Sequence, residues 1–199
     1  MKKSKAFWLG VHLCIIRNWT AGNTIITQGG LFIKGLHAAL GKFSSLNINL
    51  VQFLFVVVGL IWVKNHFGKR TLFLFSIPAL SALNLALSVS MFFEEVFSAK
   101  VIMCLYMAIY GGAFISPVWS YPSEIIPASE AVIPNVAHWL ALATSTLIPP
   151  IVSGMMPNEN PYPVFVFFGL YGFLSFIHVY RDAKESDGKA YDEIIKSFD

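Results

Sequence analysis

The sequence predicts an all-α, polytopic membrane protein that crosses the bilayer six times, and three observations predict it. Hydrophobic residues make up 56% of the 199 and charged residues only 13%, an apolar excess beyond that of a soluble domain. Six runs free of Asp, Glu, Lys and Arg cover positions 18–33, 43–63, 71–93, 101–123, 131–158 and 160–180, and about 20 apolar residues make a membrane-crossing helix. The cations are sided. With spans alternating across the bilayer, Lys2, Lys3, Lys5, Lys64, Lys69, Arg70, Arg181, Lys184, Lys189 and Lys196 share one face. Lys34, Lys42 and Lys100 lie on the other, which places both termini in the cytoplasm. An even number of spans requires the same. Backbone groups in hydrocarbon must be satisfied within the segment, so runs of this length imply a helical bundle, whereas a β-barrel needs shorter alternating strands.

The first span is expected over 6–33. Its start, Met1-Lys2-Lys3-Ser4-Lys5 before Ala6 to Ile16, has the basic and apolar regions of a secretory signal. Arg17 interrupts that apolar region and Trp19 is too bulky for a cleavage site near Ala21, so one long helix is the better reading. Ala21-Gly22-Asn23 marks a point where it can break. Further helices are expected near 44–63, 71–93, 100–121, 132–154 and 161–180, joined by short loops. Residues 1–180 then form the six-helix bundle and 181–199 a polar cytoplasmic tail. In the fourth and fifth spans proline is dense. Gly111 to Pro127 reads Gly-Gly-Ala-Phe-Ile-Ser-Pro-Val-Trp-Ser-Tyr-Pro-Ser-Glu-Ile-Ile-Pro, and each proline inside a helix removes a backbone bond and bends the axis. Such bends suit a bundle curved around a wet path, or a kink packed between neighbours. Pro149-Pro150 suits a helix terminus as well as a gate.

Covalent chemistry has no visible carrier. There is no His-Glu-x-x-His, no Gly-x-Ser-x-Gly and no phosphate-cradling glycine loop, and every aspartate lies from Asp182 onward. The sequence therefore reads as a non-enzyme, without cofactor. His12, His37, His66, His138 and His178 are scattered over different segments, so no metal site is expected. Cys14 and Cys104 read as small core residues. The net charge of +3 implies no nucleic acid.

Trp119-Ser120-Tyr121-Pro122-Ser123-Glu124-Ile125-Ile126-Pro127 resembles the end of the tenth helix in the sugar porter family of the major facilitator superfamily. The family pattern there is Gly-Pro-x-x-Trp-x-x-x-x-Glu-x-x-Pro. Three more matches follow in the right order. Val63-Lys64-Asn65-His66-Phe67-Gly68-Lys69-Arg70 resembles the Gly-Arg-Arg loop between helices eight and nine, with Asn65 where the family has an acid. His138-Trp139 is similar to the Asn-Trp of helix eleven. Glu185 to Ile194 is similar to the family's Pro-Glu-Thr-Lys-Gly tail. After Pro127 the stretch is shorter than the family's and offers Glu130 in place of its arginines.

The resemblance runs along essentially the whole chain, against the family's helices seven to twelve. It implies one half of a major facilitator bundle, partnered by an amino-terminal six-helix half, moving a hexose-like sugar across a lipid bilayer by alternating access. Aligned on Gly22, the family's seventh-helix sugar-binding pattern falls on Asn18, Trp19 and Thr24, with Asn23 adjacent; Asn18, Asn23, Thr24 and Gln28, with Trp119 and His138 from the motifs above, are the sugar contacts the resemblance implies. Amides and hydroxyls both donate and accept, as sugar hydroxyls do. Interhelical hydrogen bonding suits Asn18, Asn23 and Gln28 equally well, and Trp119 suits an interfacial anchor. Lys69, Arg70 and Glu124 match the family's cytoplasmic gate; a solvated loop that only sets orientation is the other reading. The alternative function is a truncated or degenerate, non-transporting membrane protein or interaction module.

Overall fold

The computed structural model describes residues 5–36, 41–156 and 160–198. Lys2, Lys3 and His37, named above for orientation and for the histidine scatter, lie outside them. Among the described residues all regular structure is helical. The first crossing is split into α1 (Lys5–Trp19) and α2 (Gly22–Leu36). The second runs as α3 (Gly41–Val58), a π turn at Gly59–Val63 and the short α4 (Lys64–His66). The third is α5 (Lys69–Phe92). The fourth is α6 (Val96–Ile109), a π turn at Tyr110–Phe114 and α7 (Ile115–Ile125). The fifth and sixth are α8 (Val132–Gly154) and α9 (Tyr162–Asp182), and α10 (Tyr191–Lys196) follows in the tail. Crossings two to six each contain a helix long and apolar enough to span a membrane, and the broken α1–α2 pair makes the sixth.

The bundle is arranged for lipid rather than water. Phe53, Leu54, Leu60, Ile61 and Trp62 of the second crossing are exposed, while Asn18, Thr20, Thr24, Ser76, Ser81, Asn84, Ser145 and Ser175 are buried. Hydrocarbon tolerates outward apolar side chains and forces polar groups to find partners inside. α5 packs along α9, α1 lies against α7, α8 and α9, and α3 packs on α2 and α6. At the α5–α9 crossing Gly172 makes room: a Cβ there would stand 2.1 Å from Ser81 Oγ.

Proline and glycine explain the irregularities. Ala21 takes φ 69° between α1 and α2, a left-handed conformation that ends a helix. The carbonyl of Thr20 at this break accepts a hydrogen bond from Asn84 Nδ2 at 3.2 Å, and the Tyr110 ring seats on Gly22, where a Cβ would meet it at 2.4 Å. Pro117 has no N–H for the carbonyl four residues before it, and the ladder widens into the Tyr110–Phe114 π turn, closed by Ile115 N–H to Tyr110 O. Ile126 is extended (φ −118°, ψ 124°), as the residue before Pro127 must be, and α7 stops there. Pro149 and Pro150 leave α8 unbroken to Gly154.

The two π turns meet backbone to backbone. A Cβ on Gly59 would lie 2.5 Å from the Gly112 carbonyl oxygen, whereas one on Gly112 would lie 3.5 Å from the Phe55 carbonyl. Gly59→Val is therefore expected to lower stability by roughly 1–3 kcal/mol through overpacking, and Gly112→Ala to leave it nearly unchanged. Thermal unfolding of the two variants in the same detergent checks the contrast.

Candidate functional site

A cleft of about 310 Å³ lies between α1, α7 and α8, walled by Cys14, Arg17, Trp119, Ser123, Asn135 and His138 among others. α1 brings Cys14 and Arg17 to it, α7 brings Trp119 and Ser123, and the first turns of α8 bring Asn135 and His138. Asn18 is fully buried. Its Nδ2 lies within hydrogen-bond distance of His138 Nδ1 (2.8 Å), the His138 carbonyl (3.2 Å) and the Cys14 carbonyl (3.1 Å). Asn23 Nδ2 donates to Asn18 Oδ1 at 2.7 Å across the helix break. Trp119 and His138 stand with ring centroids 5.9 Å apart. Of the residues expected to contact sugar, Asn18, Asn23, Trp119 and His138 thus form one connected group.

Thr24 and Gln28 lie elsewhere. Thr24 Oγ1 donates to the Ser145 carbonyl and Gln28 Nε2 to the Thr146 carbonyl, both at 2.9 Å. With Trp19 Nε1 donating to Thr144 Oγ1 at 3.1 Å, they stitch the first crossing to α8. Such interhelical bonds are worth about 0.6–2 kcal/mol each in a membrane. Gln28 Oε1 remains buried with no partner among the described residues.

Arg17 was not among the expected contacts, yet it lies at the centre of the group. Its guanidinium carbon sits 3.3 Å from the centroid of the Trp119 ring, a cation–π geometry, and its Nη2 lies against the imidazole of His138. The signal was in the sequence: an arginine within an apolar span, with no acidic residue before Glu94. What pairing it would find was hidden, because His138 lies 121 positions away.

At the other end of α7 the charged residues converge. Lys69 Nζ pairs with Glu124 Oε1 at 3.0 Å and also with Asp187. Ser186 Oγ donates to Glu124 Oε2 at 2.7 Å. Arg70 does not join Glu124: its Nε donates to the Ala183 carbonyl at 2.9 Å, and its backbone N–H reaches Glu185 Oε2 at 3.3 Å. Lys69 N–H donates to Asp187 Oδ2 at 3.0 Å. Two tail carboxylates thus satisfy the open N–H groups at the start of α5, where the helix dipole favours anions. Tyr121 OH donates to the Lys184 carbonyl at 2.7 Å. The tail, polar by composition, also buries Ala183, Ile194 and Phe198 in the core.

Hydrogen-bonding side chains and an aromatic face suit a small polar molecule. Among the described residues no group of three His, Cys, Asp or Glu is placed to hold a metal. A family model described as "Sugar (and other) transporter" matches residues 2–198. Among solved structures, the chain is similar to that of the major facilitator superfamily proton:xylose symporter XylE bound to 6-bromo-6-deoxy-D-glucose, with TM-score 0.84 and 18% identity over 97% of this chain. That likeness establishes the major facilitator fold. The chain spans 42% of the symporter's length. No curated protein sequence matches it. With nearly its whole length matched by one family of membrane carriers, the chain belongs to the sugar (and other) transporter family.

Proposed function

We propose that the chain acts as the carboxyl-terminal six-helix half of a sugar porter. It moves a hexose-like sugar by alternating access together with an amino-terminal six-helix half, and both of its termini face the cytoplasm. The family match and the sugar-bound symporter fold support the substrate class, and the ten cations on one side support the orientation. Asn18, Asn23, Trp119 and His138 are the central contacts, with Thr24 and Gln28 deeper along the same helix pair. Lys69, Arg70 and Glu124 form the gate, with Asp187, Glu185 and Ser186 of the tail as its further members.

One observation carries the mechanism. Trp119, a wall of the cleft, and Glu124, the acid of the charge cluster, stand on the same short helix α7. Opening the cluster frees the end of α7 and lets the wall shift, which couples occupancy of the cleft to a two-state rearrangement. Residues 1–180 supply the moving bundle and 181–199 the tail that clasps it. The alternative is a bundle retained without a working cycle. It draws support from Thr24 and Gln28, whose donors go to backbone carbonyls, and from Arg17, which covers one face of Trp119.

Co-expression with an amino-terminal sugar-porter half and uptake of labelled xylose or glucose tests the reading. Trp119→Ala is expected to cut uptake about tenfold, as loss of an aromatic binding wall does; unchanged uptake rules out its role. For the gate, a double-mutant cycle of Lys69→Met and Glu124→Gln is expected to return a coupling of about 0.2–1 kcal/mol in unfolding stability, shrinking as salt is raised. A coupling of zero at low salt removes the Lys69–Glu124 pair from the mechanism.

A further inference from the structure

Arg17 is only 6% exposed, and a cation at that depth must be compensated. Among the described residues no carboxylate pairs with it. The sequence has no Asp or Glu before Glu94, and the described acids lie between α5 and α6 (Glu94, Glu95), near the end of α7 (Glu124), in the 3-10 turn before α8 (Glu130) or from Asp182 onward. Among the described residues the ion pairs join Lys69 to Glu124 and Asp187, and His178 to Asp182; none involves Arg17. Its neighbours are an imidazole and an indole, which carry no negative charge.

Geometry adds a second argument. A guanidinium holds five N–H donors in a rigid plane. The hydrogen bonds of Arg17 run from Nη2 alone, toward His138. Its face is packed on the Trp119 ring, which fixes the plane and leaves the edge as the place where a planar anion docks, in the bidentate manner of carboxylates. The cleft beside it has room for one monosaccharide-sized ligand and carries exposed Ser123 and Asn135 on its wall, a hydroxyl and an amide that complement sugar hydroxyls.

We infer that the cleft selects a sugar acid, a monosaccharide bearing a carboxylate, with Arg17 as the carboxylate-binding residue held in place by Trp119 and His138. This rests on the sugar-porter reading and narrows its substrate. The bound carboxylate supplies the charge that Arg17 lacks, so an anionic ligand gains over a neutral hexose of the same size.

The test uses the chain co-assembled with an amino-terminal sugar-porter half in phosphatidylcholine nanodiscs at fixed ionic strength, with equilibrium binding of labelled D-glucuronate and D-glucose and with acetate as competitor. Glucuronate is expected to bind about tenfold or more tightly than glucose. Arg17→Gln is expected to abolish the preference and Arg17→Lys to keep part of it. The preference of the unaltered protein decides the matter even where Arg17→Gln fails to fold. Equal binding of the two sugars, or a preference that survives in a folded Arg17→Gln, overturns the inference and leaves the sugar-porter reading standing. Acetate competing as well as glucuronate overturns the sugar-acid assignment and removes sugar recognition with it. Binding of neither sugar overturns both.

Discussion

Hydrocarbon offers no hydrogen bonds, and the seam between the first crossing and α8 is where this protein meets that constraint most directly. Asn18, Trp19, Thr24 and Gln28 all direct donors across it to His138, Thr144, Ser145 and Thr146. The seam begins beside the cleft and continues past the break at Ala21. Because each donor left alone in lipid costs several kcal/mol, the register of α1 and α2 against α8 is held at four points. The mouth of the cleft takes its shape from that register: Arg17 and His138 face each other because Asn18 and His138 are tied together.

The outer parts of this architecture were legible in the sequence for simple reasons. Apolar runs of bilayer length are local signals, and the last five crossings follow them to within about five residues, while the first reaches back past Arg17 to Lys5. The Ala21-Gly22-Asn23 stretch marked the break, although the left-handed residue is Ala21 and Gly22 instead makes room for the Tyr110 ring. The Trp119-to-Pro127 pattern pointed to a proline-bearing helix end, and α7 holds Pro122 inside it and stops at Ile125, just before Pro127. The likeness to sugar porters seen there is matched by the family assignment of residues 2–198.

Pairing across long separations was not legible. Asn18 could be read equally as a ligand contact or an interhelical strut, and it touches both the backbone and the cleft side chain of α8. Thr24 and Gln28 donate to the carbonyls of Ser145 and Thr146 across the α2–α8 contact, partners that lie 121 and 118 positions away. Arg70, grouped with Lys69 and Glu124 by motif, donates from Nε to the tail carbonyl of Ala183, 113 positions away. Residues 181–199 read as a polar tail, and three of its scattered apolar residues, Ala183, Ile194 and Phe198, are buried in the core, too sparse to register in a composition window.

The π turn at Tyr110–Phe114 sets a phase relation along the fourth crossing. Each residue of a regular helix advances about 100° around its axis, and a π turn absorbs one residue more than a regular turn does. Upstream, Tyr110 is clocked to its seat on Gly22; downstream, Trp119 is clocked to the guanidinium. Ironing that turn into ordinary helix would swing everything beyond it by about a quarter of a revolution. The same nine-residue interval would then present a different side chain to Arg17, so one wide turn serves as the timing gear that keeps the two halves of this crossing in step.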